Sequence, residues 1–247
     1  VKVSLVTEQD REYIKNNRWL AQNLPSTFAR FDGKRERPFI SGGGGYWQHD
    51  EGWIGDLFLA TASYVDLTYI NYEWPQVAKH EFAHVLQDYA MFQQNRVRPN
   101  NGTDFNRLQP QHFREGGANT IGYLTGFGNL GWSSDAMDWL VWERGGNSRS
   151  WIDVTSIDQA IRMMEGTEQG EPVEAFEMSY AIGALMYEWV LATFGLDGFK
   201  KLLKQLAVAK TFDDALQNSI GISQRELYTK SAPYVFSVFK RVQPYRL

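Results

Sequence analysis

Cysteine is absent from this chain. That excludes disulfides and any thiolate metal site, and leaves His, Asp and Glu as the only side chains able to hold a metal ion. Histidine itself is scarce, at 4 in 247 residues. No apolar run reaches the length of a bilayer span, which excludes a transmembrane segment in the sequence shown. An excess of positive charge is also lacking. The net charge of −4 argues against a nucleic-acid groove and provides no polybasic membrane patch. Nothing repeats at a fixed period, and there is no low-complexity tail. What is present is globular: 43% hydrophobic and 22% charged residues, in a chain long enough for one large domain or two lobes around a cleft. Nine tryptophans and twelve tyrosines are many, and some are expected to line a binding surface. Val1 stands where a methionine would open a nascent chain. The expectation is either a processed product or a shortened chain; loss of a signal peptide is one route to it, and the location expected is extracytoplasmic or secreted.

Two of the four histidines fall four residues apart in His80-Glu-Phe-Ala-His84. On a helix that spacing is about 400° of rotation, so both imidazoles leave one face about 40° apart and one turn along. Two neutral ring nitrogens presented this way can hold one Zn²⁺, and Glu81 lies close enough to take a proton from water activated by the ion. With 4 His and 15 Glu in the chain, HExxH should arise by chance roughly 0.004 times. The flanks agree with a helix: Pro75 suits a first turn, and Val77, Ala78, Ala83, Val85, Leu86, Tyr89 and Met91 are helix formers or core contacts.

A zinc held by two histidines and a water needs a third protein ligand. Position 90 is alanine, so an extended motif with a third histidine six residues after His84 is excluded. Glu115, 31 residues beyond His84, is the strongest candidate, because a following helix can bring it back beside the first. His112 is the next. Gly116 and Gly117 remove side chains where helices need to approach closely.

The rest of the chain reads more coarsely. Residues 8–24 look helical, and 26–40 resemble a strand pair around Asp32-Gly33. Ser41-Gly-Gly-Gly-Gly45 lacks the Gly-Lys-Ser/Thr of a phosphate cradle and is expected to be a flexible loop near the cleft. Residues 53–72 read as one or two strands, and 95–113 as a surface connection containing the sequon-like Asn101-Gly-Thr103. Ser134–Trp142 is a short helix candidate among aromatic loops. Ser156–Glu165 is a capped helix ending at Gly166. Residues 174–194 form a helix with Tyr180, Gly183, Ala184, Tyr187 and Leu191 on one side; 199–206 and 211–218 continue the helical pattern, with Gly195 and Gly221 at helix ends.

HEFAH followed by Arg114-Glu-Gly-Gly-Ala-Asn-Thr-Ile-Gly-Tyr123 resembles the gluzincin metallopeptidases, in particular the peptidase-MA-like group, where an EGxA helix follows HExxH. The likeness extends loosely over residues 53–235. It implies zinc on His80, His84 and Glu115, Glu81 as general base, and Tyr180 as the phenol that stabilises the tetrahedral oxyanion. It also implies an α+β, two-lobed zincin-like fold. A lobe over 1–95 carries a small sheet against the zinc helix, and a helical lobe over 96–247 supplies the third ligand. The implied activity is hydrolysis of a peptide or protein substrate. The other reading is a zinc-stabilised binding domain, against which an intact Glu81 counts. Two departures stand out. Asn119 occupies the position of an aspartate that orients a ligand histidine in thermolysin-like members. The GxMEN segment by which aminopeptidase-N-like members grip a substrate amino terminus is missing.

Overall fold

The structure, a computed structural model, describes residues 2–7, 10–16, 40–49, 52–61, 73–93, 110–126, 154–168 and 173–242. Its elements are β1 (Lys2–Thr7), α1 (Arg11–Asn16), β2 (Ile40–His49), β3 (Gly52–Thr61), α2 (Glu73–Gln93), α3 (Gln111–Gly126), α4 (Ile157–Glu168), α5 (Val173–Val208), α6 (Phe212–Ile220) and α7 (Gln224–Val242). The class is α+β and mostly helical, with a small mixed sheet near the N-terminus.

The sheet has the order β1-β3-β2, with β1 parallel and β2 antiparallel to β3. Leu57 and Leu59 are two apart on β3, so they share a face, and that face packs on Val85, Val77 and Ala78 of α2. Opposite them in the antiparallel register lie Gly44 and Gly42. The glycine run is therefore a strand and not the flexible loop expected from its composition. Each glycine removes a clash. A Cβ on Gly44 would fall 1.9 Å from the backbone oxygen of Glu81, one on Gly42 would fall 2.6 Å from Glu81 Cγ, and one on Gly43 would meet the Phe58 ring on the far face. Strand β2 can lie directly on α2 only because positions 42 and 44 carry no side chain.

The larger core is helical. Phe113, Met164, Ile182, Leu185, Tyr187, Phe212, Leu216 and Phe239 are among its buried members, drawn from α3 to α7. Helices α3 and α5 cross at a glycine pair, where a Cβ on Gly116 would sit 2.1 Å from the Gly183 carbonyl carbon and one on Gly183 1.6 Å from the His112 oxygen. The close approach expected of Gly116 is thus made to α5, and Gly117 leaves room for the Tyr187 ring. Gly195 (φ 67°) kinks α5, and Gly221 (φ 71°) closes α6 in the left-handed conformation with backbone bonds to Leu216 and Gln217.

Several boundaries differ from the sequence reading. Helix α1 covers Arg11–Asn16 of the helix expected over 8–24, the remainder of which, apart from Asp10, lies outside the described residues; α4 runs through Gly166 to Glu168, and α3 takes in His112 and Phe113, both fully buried, where the sequence reads as a surface connection. Helix α7 was not anticipated. Pro233 lies inside it, yet its start carries a capping box: the Glu226 amide donates to Ser223 Oγ at 3.1 Å, and the Ser223 amide donates back to Glu226 Oε2 at 2.9 Å. These bonds, with Lys230, hold the Glu226 carboxyl down to about 2. The strand pair around Asp32-Gly33, the stretch 62–72, the sequon at Asn101 and the helix candidate Ser134–Trp142 lie outside the described residues.

Candidate metal centre

Helix α2 is buried on two sides. Glu81 and Val85 face the sheet side, and His80, His84, Gln87 and Asp88 are buried beside α3. The exposed strip between them carries Phe82, Leu86 and Tyr89. The two histidines meet as their spacing requires, with Nε2 atoms 3.2 Å apart and rings edge to face. Both ring nitrogens then find Glu115 of α3: its Oε2 lies 3.1 Å from His84 Nε2 and 3.3 Å from His80 Nε2. Three donor atoms thus form a nearly equilateral triangle. Tetrahedral coordination with bonds of 2.0–2.1 Å demands ligand-to-ligand separations of about 3.3 Å. The donor set fits a zinc-sized ion without rearrangement.

Glu81 also offers a carboxylate oxygen within 4.8 Å of the histidine nitrogens, so His80, Glu81 and His84 form a buried group that could hold a metal ion. Its carboxyl, however, is pressed against Gly42 of β2, where a Cβ would stand 2.7 Å from Oε1. Glu115 closes the tighter triangle. All four side chains belong to residues between 5% and 9% exposed, so water cannot screen their interactions as it does at a surface.

The two carboxylates differ electrostatically. Burial pushes the Glu81 carboxyl above its ordinary range, and the neighbouring histidine charges offset this only in part. Burial would also raise Glu115, but the His84 charge and hydrogen bonds from both imidazoles outweigh it and hold Glu115 well below the usual carboxylate range. Burial alone would lower His84; the charge and hydrogen bond of Glu115 reverse this and raise it. On balance Glu81 holds its proton more tightly than an exposed glutamate and Glu115 holds it less tightly.

Each imidazole is held from behind by an amide. His80 Nδ1 lies 2.8 Å from Asn119 Oδ1, and the Asn119 amide donates to the Tyr180 carbonyl at 3.4 Å. His84 Nδ1 lies 2.8 Å from Gln87 Oε1, and the Gln87 amide donates to the Arg114 carbonyl at 3.1 Å. The neutral Asn119 therefore contacts His80 in this chain without a carboxylate. Arg114 also pairs with Asp88 at 3.6 Å, a second link between α2 and α3.

Tyr180 comes to the site from α5. Its ring stacks on His80 with centroids 6.0 Å apart and planes 20° from parallel, and the residue is half-buried. Tyr187, two turns on, is fully buried against Phe113, with a hydroxyl that has no hydrogen-bond partner among the described residues. His112 does not reach the metal triangle. Its Nε2 lies 3.2 Å from the Tyr228 hydroxyl, its Nδ1 has no partner among the described residues, and burial pulls its pKa down to about 3. Gln87 is absent from the sequence candidates, although its position three residues after His84 puts it on the same helical face. Gly42 and Gly44 as packing partners of Glu81 have no local signal, because the strand pairing that places them there is not local. No protein-family model, no curated protein and no solved structure matches this chain.

Proposed function

We propose that this chain is a zinc-dependent metallopeptidase of gluzincin type, with His80, His84 and Glu115 as the metal ligands, Glu81 as general base and Tyr180 as oxyanion donor. The observation that carries the reading is the triangle of 3.1, 3.2 and 3.3 Å among His80 Nε2, His84 Nε2 and Glu115 Oε2. Two imidazoles and a carboxylate leave one tetrahedral position open, as in catalytic rather than closed structural zinc sites. The small sheet with α2, up to about residue 95, forms one lobe and the helices after it the other.

A zinc ion bound there supplies a Lewis acid that acidifies water and polarises a carbonyl. The remaining work falls to the chain. Asn119 and Gln87 hold the imidazoles in the orientation that presents Nε2. Glu81, whose burial raises its affinity for a proton, takes a proton from the water as its oxygen bonds to the peptide carbonyl carbon. It returns that proton to the amide nitrogen as the C–N bond breaks. Tyr180, stacked beside His80, offers its hydroxyl to the carbonyl oxygen as negative charge develops.

The test is hydrolysis of an unbiased peptide library by wild type and Glu81→Gln at equal zinc occupancy. The substitution removes a base and no ligand, so zinc and fold should persist while cleavage falls by orders of magnitude. A wild type that binds zinc and cleaves nothing would sink the peptidase reading in favour of a zinc-stabilised binding domain.

A further inference from the structure

The two ring nitrogens of His84 face different neighbours: Nε2 lies in the triangle, 3.1 Å from Glu115, and Nδ1 meets Gln87 Oε1 at 2.8 Å. Which end of the Gln87 amide faces the imidazole follows from its other contact. The Arg114 carbonyl, 3.1 Å from Gln87 Nε2, can only accept a hydrogen bond, so the amide NH₂ must face it. The amide oxygen is then left for His84, and since that oxygen can only accept, His84 Nδ1 must carry the proton. Of the two neutral tautomers, the one this amide selects is therefore the one whose Nε2 can direct a lone pair into the triangle. A glutamine does not titrate, so Gln87 offers Nδ1 the same acceptor at every pH. Arg114 is the residue before Glu115, so the same amide also ties the second histidine to the helix that bears the third ligand.

The geometry points to Gln87 as a positioning residue of the metal site, one that fixes the tautomer of His84 and thereby sets metal affinity. This rests on the reading of His84 and Glu115 as ligands. It assigns Gln87 no contact with substrate. Partners behind ligand histidines typically contribute 10- to 100-fold in metal affinity.

The experiment measures zinc affinity of the purified full chain by competition with a chromophoric chelator, for wild type, Gln87→Met and Gln87→Glu. Methionine keeps the length and apolar stem of the side chain while removing both bonds, and should weaken zinc binding 10- to 100-fold. Glutamate keeps an acceptor for His84 Nδ1 and removes only the donor to Arg114, so its affinity should equal or exceed that of wild type. A second readout is the nitrogen–proton correlation spectrum of the zinc-loaded protein, which with 4 histidines is readily assigned. The His84 Nδ1 proton should be protected from exchange in wild type and Gln87→Glu, and lost to exchange in Gln87→Met. Wild-type affinity in Gln87→Met overturns the assignment. So does a Gln87→Glu protein as weak as Gln87→Met, because the effect would then belong to the Arg114 tether. A wild type that binds no zinc overturns the ligand reading itself and the assignment with it, so the two failures are told apart.

Discussion

Tyr180 and Tyr187 lie seven residues apart on one helix, yet their surroundings call for opposite outcomes when each loses its hydroxyl. Tyr180 stacks on His80 at the edge of the metal triangle. Tyr180→Phe should keep the ring packing and remove one donor from the transition state, lowering kcat by about 10²–10³ with little change in KM. The Tyr187 hydroxyl is buried without a partner among the described residues, and burial pushes its pKa up. Tyr187→Phe should therefore leave kcat unchanged and leave stability equal or up to about 1 kcal/mol higher, since an unsatisfied polar group is removed. Measuring kcat and thermal stability on the same preparations checks both, and equal small effects would return Tyr180 to a packing role. The sequence made His80, Glu81 and His84 legible because a helical period is local: four residues fix a face whatever the tertiary fold. Glu115 is legible as the carboxylate a following helix can return beside the histidines, with glycines next to it and the family resemblance in support, but its actual approach depends on how two helices pack. Gln87 was readable by the same local rule as His84. His112 shows the limit of proximity in sequence: three residues from Glu115, it turns instead to Tyr228.

Strand β2 and the α3–α5 crossing are where backbone approaches backbone, and both depend on glycine. At Gly44 a methyl group would meet the Glu81 backbone oxygen at 1.9 Å, so Gly44→Ala should force strand and helix apart and destabilise the fold by about 1–3 kcal/mol. At Gly42 it would meet only the Glu81 side chain, which can rotate away. Gly42→Ala should thus leave zinc and folding nearly intact while misplacing the Glu81 carboxyl, and, with Glu81 as the proposed base, should lower kcat by about 10- to 100-fold. Circular-dichroism melts with kcat on the two variants separate the outcomes, and equal activity loss at equal stability would contradict them. Glycine has low β-propensity, so the run does not read locally as a strand; the reason for Gly42 and Gly44 lies in the helix packed on them, and that for Gly43 in the Phe58 ring. Helix α7 escapes a local reading for a related reason. Pro233 argues locally against a helix, but the Ser223–Glu226 capping box and burial of Leu227, Val235, Val238 and Phe239 outweigh the lost backbone bond.

Among the described residues, folding buries one histidine that takes no part in the triangle, His112, and this gives stability a predictable dependence on pH. His112 is neutral in the fold, its pKa pulled down to about 3 by burial, whereas the unfolded chain restores an ordinary histidine. Between those values the unfolded state binds a proton that the folded state lacks. The contribution is fully present above about pH 6.5 and is lost as pH falls, by roughly 2 kcal/mol between pH 8 and pH 5. Denaturant titrations of metal-free wild type and His112→Asn should therefore differ in pH slope over that range, the variant being flatter, and parallel slopes would contradict the neutral assignment. The helical core that encloses His112 also carries α3, and α3 carries Glu115 to the histidines of α2. On the proposed reading these two helices build one zinc site between them. Equilibrium zinc stoichiometry of the purified chain, beside His84→Ala and Glu115→Ala, decides whether they do. One ion per wild-type chain and little retained zinc in either variant are expected, while full occupancy in Glu115→Ala would exclude Glu115 as a ligand.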